Sequence, residues 1–421
     1  MTKFTFIHAA DLHLDCPFSG VGRVSPEAAE LLYRATFDAF ENLVGLCIEK
    51  HASFLLLAGD LFEHEGKSLR ALFRFRAGVE KLDRHGIATL CVHGNHDPPS
   101  GASGALLDAP GLFTFPTDRV AERIIEKDGA PLARVRGMSY ASREEGRNLV
   151  SLFPPNDGRL FTVGLVHANA GGVADHANYA PCLASELDGR CDYWALGHVH
   201  QRRVISEEPY AVYPGNTQAR SIREPGPRGC YVAEVEAGRV RSLAFAPLDA
   251  VRWENLEVDI LGCRNAEEAT EAAAELVAEA RHEAGDRPLC CRVTLAGRTA
   301  AYRELAKPGM GPEIRDALAD RTADRKPLVW VEEVAVSTAP LLDMDALAAD
   351  TGLVGALFSI AAEIAASPGD GPPPFVEDAL ADLFSDKKMP KELAELSRDE
   401  ALSLLTKARN LCAELLSEDA P

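Results

Sequence analysis

The sequence predicts an α/β protein of more than one domain. The first 200 residues alternate short apolar runs with helical patterns, the run from Arg202 to about Asp259 is strand after strand with turn residues between, and the character changes again near 255–265. With 421 residues, two or three domains and a large core are expected.

Phe4–Ala9, Phe54–Ala58 and Ala88–His93 read as buried strands. Between them lie helices over Glu27–Lys50, opened by Ser25 and Pro26 in the cap and first-turn positions, and over Ser68–His85. Arg134–Gly137, Phe161–Val166 and Tyr193–Leu196 are strand-like. The β-rich part comprises Arg203–Ile205, Tyr210–Tyr213, Gly229–Glu236 and Val240–Phe245, with Ala237-Gly238-Arg239 as a hairpin turn. These later strands are expected to form a second sheet packed on the first. Asn265–Ala284 is an Ala/Glu-rich helix, Leu289–Ala296 and Leu328–Val336 are strands, and Pro312–Asp320 is a helix. A helix over Met344–Ala366 follows, then a Ser/Pro/Gly linker at 367–374 and helices over Val376–Ser385 and Arg398–Ser417. The domains expected are 1–259, a small α/β unit at 260–340, and a helical region at 341–421.

Hydrophobic content of 46% and charged content of 26% are those of an ordinary globular protein. The formal net charge of -20 argues against a generally basic chain that coats nucleic acid. It does not exclude contact with phosphate through bound cations and a local basic patch. Residues 341–421 hold 16 Asp/Glu and 6 Lys/Arg, a net of -10, so half of the excess sits there. That segment suits contact with another protein better than a phosphate backbone. The ten cysteines show no C-x-x-C pair, which speaks against structural zinc and for small core residues. Met1 to Ala10 is no signal peptide, and no stretch approaches the ~20 apolar residues of a membrane span. A reduced, cytoplasmic location and no membrane partner are expected.

Metal-ligand residue types follow the apolar runs, at strand C-terminal ends: Asp11 and His13, Asp60 after Gly59, Gly94-Asn95-His96-Asp97, His167, and Gly197-His198-Val199-His200. Open α/β sheets place their sites outside the carboxyl edges of the strands. Each cluster alone is unremarkable: a lone histidine is more often core or surface than ligand. The ordered set carries the weight. It supplies two carboxylates, an amide and several imidazoles, enough to hold two divalent cations side by side, a general device for breaking phosphate esters. Asp60 is the natural bridge, because one carboxylate offers an oxygen to each ion. His96 is placed to protonate a departing oxygen, with the adjacent Asp97 to orient its ring. Hard oxygens with imidazole and no thiolate suit Mn²⁺, and also Fe or Zn.

These residues resemble a known family. His8-x-x-Asp11-x-His13, Gly59-Asp60-Leu61-Phe62, Gly94-Asn95-His96-Asp97, His167 and Gly197-His198-x-His200 are similar to the motifs of calcineurin-like metallophosphoesterases. Gly59 to Phe62 and Gly215-Asn216-Thr217 resemble the SbcD/Mre-type DNA repair exonucleases, and His8 to Asp15 with Pro17-Phe18 looks closest to the YhaO-like branch. The resemblance covers residues 4 to about 220. It implies a two-sheet α/β/β/α sandwich with a capping domain near 260–340 and C-terminal helices. It implies that Asp11, His13, Asp60 and His200 bind one ion, that Asp60, Asn95, His167 and His198 bind the other, that His96 is catalytic and that His8 supports the ligands. It implies DNA as substrate, a coiled-coil ATPase bound through the C-terminal helices, and a homodimer. The chain departs from the repair enzymes in being acidic. Arg202, Arg203, Arg220, Arg223 and Arg228 are the basic residues near the site that could contact phosphate. A small-molecule phosphoesterase using the same site and a non-catalytic scaffold are the competing readings.

Overall fold

The structure is a computed structural model. It describes residues 3–16, 26–63, 68–99, 109–172, 178–323, 326–341, 344–369, 371–384 and 396–418. The expected cap at Ser25 and the Pro17-Phe18 pair lie outside the described residues. Two compact units emerge. The first comprises Met1–Glu254, Arg281–Cys291 and Arg325–Trp330, and the second Asn255–Ala280, Arg292–Asp324 and Val331–Pro421.

The first unit is built on two six-stranded sheets. The first sheet runs from β1 (Lys3–Ala9), β2 (Phe54–Ala58), β3 (Ala88–Val92) and β4 (Leu112–Thr114) on one side to β11 (Gly229–Glu236) and β12 (Arg239–Pro247) on the other, in the order β12-β11-β1-β2-β3-β4. Strands β1 to β4 are parallel, and β11 joins β1 antiparallel. The second sheet contains β5 (Ala121–Lys127), β6 (Ala130–Met138), β7 (Phe161–His167), β8 (Tyr193–Gly197), β9 (Arg203–Glu207) and β10 (Tyr210–Tyr213), in the order β5-β6-β7-β8-β10-β9. Here β6, β7, β8 and β10 are parallel.

The expected grouping of strands is therefore corrected. Strands β7 and β8 belong to the second sheet, and the late hairpin β11–β12 extends the first. The pairing of Phe4 with Val235 and of Phe6 with Ala233 fixes that hairpin beside β1. Its turn is two residues rather than three: Glu236 pairs with Arg239, and Ala237 and Gly238 both have positive φ, as a tight primed turn requires. Strand β5 gave no apolar signal, because Glu122, Arg123, Glu126 and Lys127 stud an edge strand.

Both faces of the central strands are covered, which is why they read as continuous apolar runs. In β2, Phe54, Leu56 and Ala58 face the second sheet among Leu90, Val135, Val163, Leu165, Tyr193 and Ala195. Leu55 and Leu57 face the opposite way, against α1 (Pro26–Glu49) and α2 (Leu69–Arg84), meeting Phe37, Phe40, Leu43, Phe75 and Leu82. Helix α2 starts where the sequence places it, with the Ser68 hydroxyl accepting from Ala71 N–H at 3.0 Å. The outer face of the second sheet, with Met138, Val166, Trp194 and Tyr213, packs against Tyr140, Leu149, Val150, Phe153 and Leu187. That layer carries the 3₁₀ turns Val150–Leu152 and Ala184–Glu186. The result is an α/β sandwich of two sheets.

In the second unit, α3 (Ala266–Glu283) buries Ala266, Ala269, Thr270, Ala273, Val277 and Ala280, one stripe at helical spacing. Strands β13 (Arg252–Asp259), β14 (Leu289–Thr299) and β15 (Val329–Pro340) form a three-stranded sheet. Two helices, α4 (Tyr302–Leu305) and α5 (Met310–Thr322), separate β14 from β15. The single helix expected over Met344–Ala366 is instead two, α6 (Met344–Ala348) and α7 (Leu353–Ala365). The break falls at Asp350 to Gly352, where the Asp350 carboxylate accepts the Gly352 N–H at 3.0 Å and so competes with the helix ladder. Helices α8 (Pro374–Phe384) and α9 (Arg398–Glu418) follow. Arg398 donates to the carbonyls of Ala365 at 3.0 Å and Ser367 at 2.7 Å, closing the exposed C-terminal end of α7 with a positive charge.

The two sheets approach each other tightly beside the site. A Cβ at Gly197, the last residue of β8, would land on the Ala58 carbonyl oxygen at the end of β2. Gly197→Ala is expected to cost about 1–3 kcal/mol of overpacking. Its thermal midpoint, followed by circular dichroism, should fall by roughly 2–10 °C, whereas Gly189→Ala, where a Cβ meets nothing within 4 Å, should not move it.

Candidate metal centre

Strands β1, β2, β3, β7 and β8 all point their C-terminal ends to one place. Asp11 and His13 follow β1, Asp60 follows β2, Asn95 and His96 follow β3, His167 ends β7, and His198 and His200 follow β8. All seven sequence-predicted ligands are brought together there. Six of them are buried, and His200 is partly exposed.

The loops are held tightly. Asp11 N–H donates to Gly59 O at 3.1 Å, His13 N–H to Asp60 O at 3.0 Å, and Leu14 N–H to Leu61 O at 3.0 Å. Asp11, His13, Asp60 and His198 have φ of 52°, 41°, 50° and 103°, outside the usual range for side-chain-bearing residues. Such backbone costs about 1–3 kcal/mol per residue and persists only where its surroundings over-determine it. Gly59, at φ 92°, leads the chain into this turn, and a Cβ there would meet the His167 ring. The Asp60 Oδ1 accepts the His96 N–H at 2.8 Å, and the Asp11 carboxylate accepts the His198 N–H at 3.1 Å.

The donor atoms fall into two groups around Asp60. On one side, Asp11, His13 and His200 offer ligand atoms within 4.8 Å of one another. On the other, Asn95 Oδ1 lies 3.1 Å from His167 Nε2 and 3.2 Å from His198 Nδ1. The Asp60 Oδ2 stands between, 3.4 Å from His167 Nε2 and 3.9 Å from His13 Nε2.

The chemistry of these atoms fits cations. His13 Nδ1 is 2.7 Å from Glu63 Oε2, and His200 Nδ1 is 2.8 Å from Glu224 Oε1 and 3.1 Å from Arg220 Nη2, so both rings are backed by charged groups on the side away from Asp11. Their Nε2 atoms face each other at 3.2 Å. His167 Nδ1 donates to Ala58 O at 2.8 Å, which turns its Nε2 toward Asn95 and Asp60. Converging lone pairs repel unless positive charge sits among them. A carboxylate or carbonyl behind each ring is the usual support of a metal-binding imidazole.

The electrostatics agree. Burial lowers His13 to about 4, so its ring is neutral, and burial raises Asp11 to about 6. Burial would also lower His167, but the Asp60 and Asp11 carboxylates outweigh it and lift the ring to about 9. A proton there does the work that a cation would do, and cation binding would displace it.

Two expectations need correction. Asp97 does not orient His96. Its carboxylate accepts Leu61 N–H at 2.9 Å and Gly94 N–H at 2.8 Å, tying the β2 and β3 loops together, and the ring it faces is His93, 3.7 Å away. His96 instead has Nδ1 3.4 Å from the Glu63 backbone carbonyl oxygen and 3.5 Å from Glu63 Oε1. The second correction concerns the arginines. Arg220 is paired with Glu63 at 2.9 Å, and Arg228 donates to the His200 and Pro225 carbonyls at 2.6 Å and 2.9 Å. Both guanidinium groups are used within the fold; Arg202, Arg203 and Arg223 are exposed. His8 is buried beneath the site with Nδ1 3.1 Å from the Tyr193 hydroxyl.

Glu63 and Glu224 escaped the sequence reading. Glu63 directly follows Gly59 to Phe62, a position that gave a usable signal; Glu224 has none, since only the fold brings it to His200.

Asp60→Asn keeps the size of the side chain and removes the charge shared by both groups. Calorimetric titration with Mn²⁺ should show both of two binding events weakened by more than the roughly 10–100-fold lost with a supporting hydrogen bond. Loss confined to one event would remove Asp60 from the bridge.

Comparison with known proteins accords with this geometry. Residues 4–202 match the calcineurin-like phosphoesterase family, and residues 253–339 match the family described as metallophosphoesterase YhaO, middle domain. An uncharacterized metallophosphoesterase YhaO of Bacillus subtilis (strain 168) is 32% identical over 332 residues, covering 78% of this chain and 81% of the relative. DNA double-strand break repair protein Mre11 of Methanopyrus kandleri is 26% identical over 281 residues, 59% of this chain and 60% of that one. Mre11 of Aeropyrum pernix is 25% identical over 238 residues, 52% and 54%. The chain thus spans little more than half the length of these repair proteins. By the similarity along most of its length to YhaO and the two matched regions, the chain belongs to the calcineurin-like metallophosphoesterases of the YhaO type.

Proposed function

We propose that the chain is a phosphodiesterase acting on DNA with two divalent cations, most favourably Mn²⁺. The observation that carries the reading is the convergence of Asp11, His13, Asn95, His167, His198 and His200 about the Asp60 carboxylate, with His96 beside it. Similarity to the Mre11 repair proteins supports DNA as the substrate.

When bound, the cations supply charge that polarises a phosphoryl group and lowers the pKa of water toward neutrality. Asp60 would bridge them, with Asp11, His13 and His200 on one and Asn95, His167 and His198 on the other. The residues of the chain do the rest. Glu63, Ala58 and Glu224 stand behind the Nδ1 atoms of His13, His167 and His200, so the Nε2 atoms face the site before any ligand arrives. His96 is a quarter exposed where His13 is buried, and its ring stacks edge-on against His13 at 5.0 Å. It faces Glu63 through Nδ1, so Nε2–H is the proton given to the departing oxygen. Water adds its hydroxyl to phosphorus and releases its other proton to solvent, the P–O ester bond breaks, the departing oxygen takes the His96 proton, which solvent then restores, and the products are a phosphate monoester end and a free hydroxyl.

One observation favours a second reading. With a net charge of -20, and with Arg220 and Arg228 engaged inside the fold, the chain has little to hold a long polyanion. A nucleotide-sized ester needs no such grip. On the first reading the acidic helices near the C-terminus recruit a coiled-coil ATPase, whose surface would supply the missing hold on DNA. Expression beside such a partner would show it as a co-purifying chain.

Purified protein with Mn²⁺ is to be offered labelled single-stranded and duplex DNA, beside a nitrophenyl phosphodiester. Cleavage of DNA is expected, and turnover of the small ester alone would establish the second reading. His96→Ala should keep both ions in a Mn²⁺ titration yet lose about 10²–10⁴-fold in kcat; undiminished turnover would take the acid role from His96.

A further inference from the structure

Of the arginines near the metal centre, Arg202 has a setting of its own. Its guanidinium carbon lies 4.4 Å from the centre of the Phe245 ring. Phe245, on β12, is paired with Tyr231 of β11, and Tyr231 with His8 of β1. The three residues form one row across the first sheet, three residues short of Asp11. Two strand spacings put Phe245 roughly 10 Å from His8. Strand β12 is the edge of that sheet, Phe245 is half-buried and Arg202 is exposed, so the stack stands where the site end of the sandwich meets solvent.

The backbone under Arg202 is pinned together with that of a ligand. The His200 carbonyl accepts from Asn216 N–H at 3.2 Å and from Arg228 Nη1 at 2.6 Å. Gly215, at φ 77°, packs so closely that a Cβ there would meet His200 O and Arg202 N. Two residues of chain span at most about 7 Å, so Arg202 starts close to the His200 ligand. Its guanidinium is also unspent. Arg220 and Arg228 are engaged inside the fold, whereas no carboxylate among the described residues pairs with Arg202. Stacking occupies only the flat face of the group. The N–H donors lie in its plane, and an aromatic face beneath them leaves them for an anion.

We infer that Arg202, held on Phe245, binds the phosphate of the nucleotide next to the one being cut. A planar fork of donors matches a phosphate. Such a contact sets where a strand lies without reading its sequence. The ring reduces the freedom that the side chain loses on binding. One prepared cation beside the metal centre thus fixes the register of a strand that this acidic chain otherwise grips little.

The inference rests on the DNA reading, because a small ester has no second phosphate. The full chain, saturated with Mn²⁺, is compared as wild type, Arg202→Ala, Arg202→Lys and Phe245→Leu, with folding checked by circular dichroism. Two substrates are used over a range of salt: oligothymidylate, and a nitrophenyl ester of thymidine monophosphate, which carries a single phosphate. In Arg202→Ala, kcat/KM on oligothymidylate should fall roughly tenfold, as for a lost charged hydrogen bond. The slope of its logarithm against the logarithm of salt should become shallower by about 0.7, one phosphate contact on a single strand. The nitrophenyl ester should be unaffected. Arg202→Lys keeps the charge and should restore the slope. Phe245→Leu keeps the charge but loses the ring, so it should hold the slope and lower kcat/KM on oligothymidylate by roughly 2–5-fold. Wild-type kcat/KM and slope in Arg202→Ala would overturn the inference. Equal losses on both substrates would also overturn it, since the effect would then lie in the His200 loop rather than on a neighbouring phosphate. A wild type that leaves oligothymidylate uncut removes the DNA reading and this inference with it, an outcome read from the wild type alone.

Discussion

The architecture turns on a problem of like meeting like. At the carboxyl edge of five strands, the donor atoms of four imidazoles, an amide and two carboxylates are pressed within a few ångströms of one another. Left unbalanced, that arrangement would push the loops apart. Burial makes it worse, because water is excluded and repulsion is less screened. The answer is positive charge, by proton or by metal, and His167 shows the first of these in the raised affinity of its ring for a proton.

The two sheets and their helices are the frame that makes such crowding tolerable. Phe6, Phe54, Leu56, Leu90, Val163 and Tyr193 weld the inner faces together close behind the loops, and α1 and α2 seal the other side of the first sheet. Backbone bonds carry the stiffness to the ligands themselves, as with Asp97, which ties the turns after β2 and β3 to each other. The carboxylates behind His13 and His200 add a further level of constraint, so the reactive atoms are positioned by chain that is itself positioned.

Much of this was legible in the sequence, and unevenly so. Phe54–Ala58 and Tyr210–Tyr213 read true because apolar runs bounded by turn residues carry their own ends. The ligands were readable because each directly follows a strand, so local order in sequence is local order in space. Which sheet a strand joins was not readable. Strands β11 and β12 are far from β1 along the chain, and pairing between distant segments depends on the complementarity of edges rather than on local pattern. Asp97 misled through adjacency: neighbours in a tight turn point apart, and its true partners are backbone N–H groups. Arg220 misled through type, because an arginine near a phosphate site invites one role while its neighbours Glu63 and Glu224 assign another. Glu224 was beyond reach, being joined to His200 only by the folded path of the chain.

The left-handed backbone of the ligand loops bears on which residues these positions tolerate. Asp11, His13, Asp60 and His198 each sit at positive φ, a region where Asp, Asn and His are several-fold enriched over other side chains. The same three residue types make up the candidate donor set. Coordination chemistry and main-chain sterics therefore make one demand at these positions, and a swap to glutamate or a β-branched side chain would offend both at once. Such loops have few neighbours in sequence space: drift toward another ligand set would have to rebuild the turns together with the donors.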